Sequence, residues 1–252
     1  RQERSKLPAG ERRVLTIGLA QEWAFARRYL EVSQWYFPHG SLTIRISMKL
    51  YDHPTAPNPR RVHVFMAEKG IEIERINVDM QKGEHKTEAF MQKNVNGQIP
   101  VLELDDGAHI SESISICRYL EAMQPSPIMF GDTPEDIGRI DMHLRRIELL
   151  LGRNVSTSWV NGPIVAKLGR FEQIPAAKQQ SDAFVNNFYA RLDRELSERA
   201  MIAGDEYCIA DITAMVTIDF AEQLVGLKPD PALTHLARWR EAVGRRPSAS
   251  AS

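Results

Sequence analysis

The 252-residue sequence predicts an α/β domain followed by an all-helical one. Three observations carry this. Between Lys49 and Met123, short apolar strings and helix-spaced segments follow one another in the order β-α-β, then β-β-α, so helices must cover a small mixed sheet. Pro125, Pro127, Gly131 and Pro134 then interrupt every periodic pattern. Beyond them no strand-like alternation recurs, and the segments 136–151, 176–199, 209–225 and 231–243 all carry helical spacing.

The first strand ends near Tyr51 and runs into the Pro-rich turn His53-Pro54-Thr55-Ala56-Pro57-Asn58-Pro59. A helix is expected from about Pro59 to Lys69, with Val62, Phe65 and Met66 on one face and Gly70 as its stop; proline in a first turn sacrifices no helical hydrogen bond. Residues 71–77 alternate as a half-buried strand, and 81–96 read as a polar loop with a short helix. Ile99-Pro100 opens the strand 101–104, Asp105-Asp106-Gly107 turns it into a hairpin, and 111–123 form a helix with Ile114, Ile116, Cys117 and Leu120 inward. The expected domains are therefore 48–124 and 135–245, joined by a linker at 125–134 and followed by a tail at 246–252.

A hydrophobic fraction of 43% with 26% charged residues and a net charge of -1 describes a globular chain and makes nucleic acid an unexpected partner. No run approaches the ~18 apolar residues of a membrane span. Cys117 and Cys208 lie too far apart in sequence for a disulfide scaffold or a zinc site, and with the scattered histidines they leave no metal centre in view. A reducing, cytoplasmic compartment is the expectation.

The net charge hides an asymmetry. Residues 1–47 hold 8 basic and 4 acidic side chains and six of the 19 aromatics, whereas 48–252 hold 24 basic and 29 acidic. The four glutamates count against a targeting peptide, and the segment is expected to be an extension upstream of a natural start at Met48. If ordered, residues 18–36 would form an amphipathic helix that packs its aromatics on the body or on a partner subunit.

Two short strings could carry chemistry. In Asn96-Gly97-Gln98-Ile99-Pro100 a cis proline would expose the backbone of Ile99 for pairing with an extended ligand, although an ordinary strand start reads equally well. Glu112-Ser113 lies at a helix amino end, where free amides and the helix dipole favour a carboxylate or phosphate, or where the serine simply caps. No G-x-G-x-x-G, P-loop, H-E-x-x-H or CxxC is present.

In order and separation, these strings resemble the glutathione transferase family. The matches are Lys49-Leu50-Tyr51, the Pro-rich turn with Arg60-Arg61-Val62, Gly83-Glu84-His85-Lys86, Asn96 to Leu102, Glu112-Ser113, Ala203-Gly204-Asp205 and Cys208-Ile209-Ala210-Asp211. They span about Met48 to Arg245. The resemblance implies a thioredoxin-like first domain that binds glutathione as co-substrate, a helical second domain and a homodimer. It assigns Ile99 and Pro100 to the cysteinyl backbone, Glu112 and Ser113 to the γ-glutamyl ammonium and carboxylate, and His85 and Gln98 to the glycyl carboxylate.

The sequence departs from the family at the sulfur. The usual serine position falls on Ala56, which has no donor, and Tyr51 belongs to the strand-end string that other members share. Thr55 and Asn58 are the neighbouring candidates for thiolate ligands, with turn stabilisation as their alternative role. The turn looks most like that of fungal and bacterial members, in which a water held by the helical domain can assist; His143, on the helix expected to face the cleft with Met142, Arg145 and Arg146, is the candidate holder, with a surface or core histidine as its alternative reading. A second departure is Cys208, where the family places Ser or Thr in a capping box with Asp211. It reads as a stability feature. The expected reaction is transfer of the glutathione thiolate to a small, apolar electrophile bound against residues 136–151, with Trp159 either lining that pocket or packing a loop. A glutathione-dependent peroxidase or disulfide reductase and a non-catalytic binding or regulatory module are the alternatives.

Overall fold

A computed structural model describes residues 48–54, 56–169 and 172–251. The expectations for residues 1–47 and for Thr55 lie outside them. The first domain contains β1 (Lys49–Asp52), α1 (Pro57–Lys69), β2 (Glu74–Asn77), a 3-10 turn (Glu84–Lys86), α2 (Glu88–Met91), β3 (Val101–Glu103), β4 (His109–Ser111) and α3 (Ser113–Met123). The four strands lie in the order β2-β1-β3-β4, with β1 parallel to β2 and antiparallel to β3, and β3 antiparallel to β4.

Strand alternation sorts the sheet into two faces. Leu50 and Leu102 point into the main core with Val62 and Phe65 of α1 and Ile116, Cys117 and Leu120 of α3. Val101 points the other way, into a smaller cluster with Val78, Phe90 and Ile99, against which Tyr51 and Ala56 pack. The half-buried strand expected at 71–77 is shorter and more exposed than its alternation suggested, because β2 is an edge strand and its apolar flanks, Ile73 and Val78, lie outside the ladder.

Tyr51 is committed to the sheet. Its hydroxyl donates to Glu103 Oε2 at 2.8 Å, and Lys93 Nζ, 4.6 Å from the Tyr51 ring centroid, donates to the same oxygen at 2.8 Å. Lys93, and after it Tyr51, hold the Glu103 carboxyl down at about 2, below the ordinary 4.5. A depressed acid stabilises the fold above its unfolded pKa and loses that contribution as pH falls through the folded one. Glu103→Gln is therefore expected to flatten the loss of stability between pH 4.5 and about 2 in urea unfolding at stepped pH; an unchanged acid limb contradicts this.

The helical domain contains α4 (Pro134–Arg146), which passes through a π-helical segment (Ile147–Gly152) into α5 (Arg153–Val160), then α6 (Pro163–Lys167), α7 (Pro175–Leu196), α8 (Ile209–Phe220, with a π-helical continuation Ala221–Val225), α9 (Thr234–Gly244) and a 3-10 turn (Pro247–Ser250). One continuous core runs from the sheet into this domain, where α1 packs on α8. Among the described residues no helix is long and apolar enough to cross a membrane.

The segments read as linker and tail are both held. Lys69 Nζ, with its side chain fully buried, donates to Pro125 O at 3.0 Å and to Pro127 O and pairs with Glu121, whose Oε1 accepts from Met129 N at 2.9 Å. At the carboxyl end, Arg246 grips Glu68 of α1 through two bonds of 2.7 Å, and Ser248 Oγ donates to the same carboxylate. Arg60, at the opposite end of α1, bonds Asp219 at 2.8 Å and Ala249 O at 3.0 Å. Helix α1, which carries the Pro-rich turn, is thereby clamped at both ends.

Candidate functional site

The turn after β1 gives way to α1 two residues earlier than expected, at Pro57 rather than Pro59. Asn58 therefore occupies the helix's second position, and the first turn contains no acidic residue and no side-chain cap. Helix amino ends normally leave several N–H groups open, but Pro57 and Pro59 have none. Their placement on either side of Asn58 leaves its backbone N–H and side-chain amide as the donors at this helix start among the described residues. Ala56, at the N-cap, packs against the cluster that contains Ile99.

Ile99-Pro100 is cis, one of the two readings open from the sequence. Asn94 Nδ2 donates to Gln98 O at 2.8 Å and fixes the loop ahead of it. Gly97, at φ +54, lies so close to the next segment that an added Cβ would stand 2.6 Å from His85 O, and Lys86 Nζ donates to Asn96 O at 3.1 Å. His85 and Gln98, far apart in sequence, thus belong to touching segments. The register of β3 with β4 sets Val101 opposite Ser111, which brings the cis proline beside Glu112 and Ser113.

Helix α3 begins at Ser113, two residues later than expected, because Glu112 adopts φ 65° and ψ 116°. It is the only non-glycine residue with positive φ among those described. Such a conformation costs on the order of 1–3 kcal/mol and persists where surrounding structure imposes it. Here it leaves the Glu112 side chain exposed while Ser113, 7% exposed, starts the helix. Glu112→Gly is expected to hold or raise the melting temperature while weakening glutathione binding by roughly tenfold or more, the worth of a charge-assisted bond; binding unchanged by calorimetry contradicts the assignment.

Arg61, which the sequence did not single out, sits at the centre. Arg61 Nη1 donates to Asn58 Oδ1 at 3.0 Å and to Ser113 Oγ at 2.5 Å. Its burial pulls the guanidinium below its ordinary pKa, opposed by Cys117 of α3 and Glu148 of the π segment, and the group stays protonated. The available signal was the Arg60-Arg61 pair after the turn: Arg61 adjoins Val62 and lies one helical turn before Phe65, both core residues.

The structure places His143 inside the helical domain, where the core-histidine reading of the sequence has it. It is buried between α4 and α7 with Arg146, Phe188, Leu192, Glu195 and Ile202, and every residue lining that cavity belongs to the helical domain. Burial, then Arg199 and Arg146, push the imidazole down to about 4. Helical spacing fixes which residues share a face but not which neighbour that face meets. Of this stretch, Glu148 is the residue whose charge reaches the first-domain cluster. Trp159 stacks edge-on against Phe220 at 5.3 Å, which makes it part of the helix packing. Cys208 and Cys117 are buried free thiols; burial raises both, Cys117 to about 12.

Comparison with known proteins decides the family. The glutathione S-transferase N-terminal domain model matches residues 46–122 and the C-terminal domain model residues 160–247. Glutathione S-transferase 2 of Saccharomyces cerevisiae is 34% identical over 217 residues, covering 83% of this chain and 91% of that protein. The chain belongs to the glutathione transferase family. The transferase also shares its fold with a glutathione S-transferase domain-containing protein of Marinobacter aquaeolei VT8, at 33% identity and a TM-score of 0.73 over 79% of this chain and 98% of that one. Gtt2 of Saccharomyces cerevisiae gives 33% identity and 0.72 over 79% and 97%. These likenesses match the two-domain architecture expected from the sequence.

Proposed function

We propose that this transferase binds glutathione along the edge formed by α1, the Ile99-Pro100 loop and α3, and passes its thiolate to a small, apolar electrophile. The observation that supports this most is the Asn58–Arg61–Ser113 chain, which ties the turn that would hold the sulfur to the helix end that would hold the γ-glutamyl carboxylate. In this reading Ser113 and the α3 amino end receive the carboxylate, Glu112 receives the ammonium, and the Ile99 backbone beside Pro100 pairs with the cysteinyl unit. His85 and Gln98 take the glycyl carboxylate.

Asn58 supplies the sulfur ligand, through its side-chain amide and its backbone N–H at the helix start, with Thr55 as the weaker neighbour. His143 has no place in this scheme. Preorganised donors of this kind stabilise a thiolate because they need no reorientation as charge develops. The electrophile is placed against residues 136–151, where Met142, Leu149 and Leu150 are exposed apolar side chains. A homodimer working in detoxification in the cytoplasm completes the proposal.

Glutathione turnover with chlorodinitrobenzene, a peroxide and a mixed disulfide tests it. Conjugation of the aromatic electrophile is expected; turnover of peroxide alone would replace transfer by peroxidase chemistry, and calorimetric glutathione binding without any turnover would leave a binding module.

A further inference from the structure

The Asn58–Arg61–Ser113 contact has a polarity that follows from donor chemistry alone. A guanidinium carries five N–H donors and no acceptor. Whatever faces it must accept, so the Asn58 atom at 3.0 Å is the carbonyl Oδ1 and the amide NH2 is turned away from Arg61. Likewise, Ser113 Oγ accepts at 2.5 Å, so its own proton is left for another partner. Nη1 bears two hydrogens, and one goes to each oxygen. Arg61 is only 7% exposed and its bond to Ser113 is buried, while the bond to the exposed Asn58 is part-buried; its Nε is buried with no hydrogen-bond partner among the described residues.

We infer that Arg61 is the positioning residue of the reaction, setting at one stroke the direction in which two substrate-binding groups offer their protons. With Oδ1 held, Asn58 points its amide hydrogens to the sulfur side. With Oγ held, Ser113 donates its hydroxyl to the incoming carboxylate. Arg61 itself touches neither group of the ligand in this scheme. An uncharged residue that both donates and accepts would leave the Asn58 amide free to flip and the Ser113 hydroxyl free to point inward. This inference rests on the assignment of Asn58 to the sulfur and Ser113 to the γ-glutamyl carboxylate.

The test is the pKa of the bound glutathione thiol, read from thiolate absorbance, in wild type, Asn58→Ala, Arg61→Gln and the double variant. Each single variant is expected to raise it by about one to two pH units, and the double variant is expected to match Asn58→Ala, because Arg61 acts through that amide. A loss of the Arg61 charge acting directly on the thiolate would instead add to the Asn58 effect, and additive shifts overturn the inference. So does a normal pKa in Arg61→Gln when Asn58→Ala is shifted. A normal pKa in Asn58→Ala removes the underlying sulfur assignment along with it.

The sulfur-free analogue γ-glutamyl-aminobutyryl-glycine reads the other limb. Arg61→Gln is expected to weaken it about tenfold, with no further weakening when combined with Ser113→Ala; additive losses contradict the inference. If Arg61→Gln does not fold, 15N NMR of the wild-type protein still tests the Asn58 limb on which the inference rests. The Asn58 side-chain amide is expected to shift with glutathione but not with the analogue, and an amide indifferent to both overturns the assignment.

Discussion

Replacing Asn58 with alanine is expected to raise the thiol pKa of bound glutathione by about one to two pH units and to lower kcat/KM near neutral pH by roughly tenfold to a hundredfold. Hydrogen bonds to a charged acceptor contribute about 1.5–3 kcal/mol, and each pH unit corresponds to about 1.36 kcal/mol. The sign follows from the reacting form. The thiolate attacks, so a higher thiol pKa moves the rate profile toward alkaline pH, and activity should recover once pH exceeds the new value. The loss is partial because the Asn58 backbone N–H survives the substitution, and Thr55→Ala should have the smaller effect. A pH–rate profile that coincides with wild type contradicts this assignment.

Asp211→Ala is expected to destabilise the protein by about 3–5 kcal/mol, through uncompensated burial rather than lost catalysis. The Asp211 carboxylate is fully buried at the start of α8 and accepts from Ile202 N at 2.9 Å, Cys208 N at 3.0 Å and Trp239 Nε1 at 2.8 Å, with the Cys208 thiol at 3.4 Å. Burial pushes this carboxyl upward in pKa against the pull of those donors. Alanine would strand three buried N–H groups that belong to three different segments, so the loop at 202, the start of α8 and α9 would all loosen. At roughly 2–4 °C per kcal/mol for a chain of this size, the melting temperature should fall by about 6–20 °C. A fall under a few degrees would mean that water reaches these donors. Cys208→Ser tests the same motif in the other direction: a hydroxyl is the better hydrogen-bonding partner, so stability should hold or rise.

The sheet-and-helix order was legible because strand alternation and helical spacing are local, and the Pro-rich turn, the Pro100 loop and Glu112-Ser113 could be placed by their order along the chain. What escaped the sequence is tertiary. Arg61 is separated from Ser113 by 52 positions, and only the packing of α1 on α3 brings them together. His143 shares a continuous helix with Glu148, yet a separation of five positions puts the two on different faces, so they meet different neighbours. The carboxyl-terminal segment has no apolar periodicity, and it is ordered by Glu68 and Arg60 of α1 rather than by its own residues. The early start at Pro57 follows from proline's fixed φ, which suits a helix's first position, and it makes Asn58 part of a helix end rather than of a loop.

A glutathione-bound crystal structure would show which group holds the sulfur. The sulfur is expected within hydrogen-bond reach of the Asn58 side-chain amide or backbone N–H, with the γ-glutamyl carboxylate on Ser113 and Arg61 still bridging Asn58 Oδ1 and Ser113 Oγ. A sulfur whose nearest donor is a helical-domain group or a water held by one, with Asn58 turned away, would contradict this assignment.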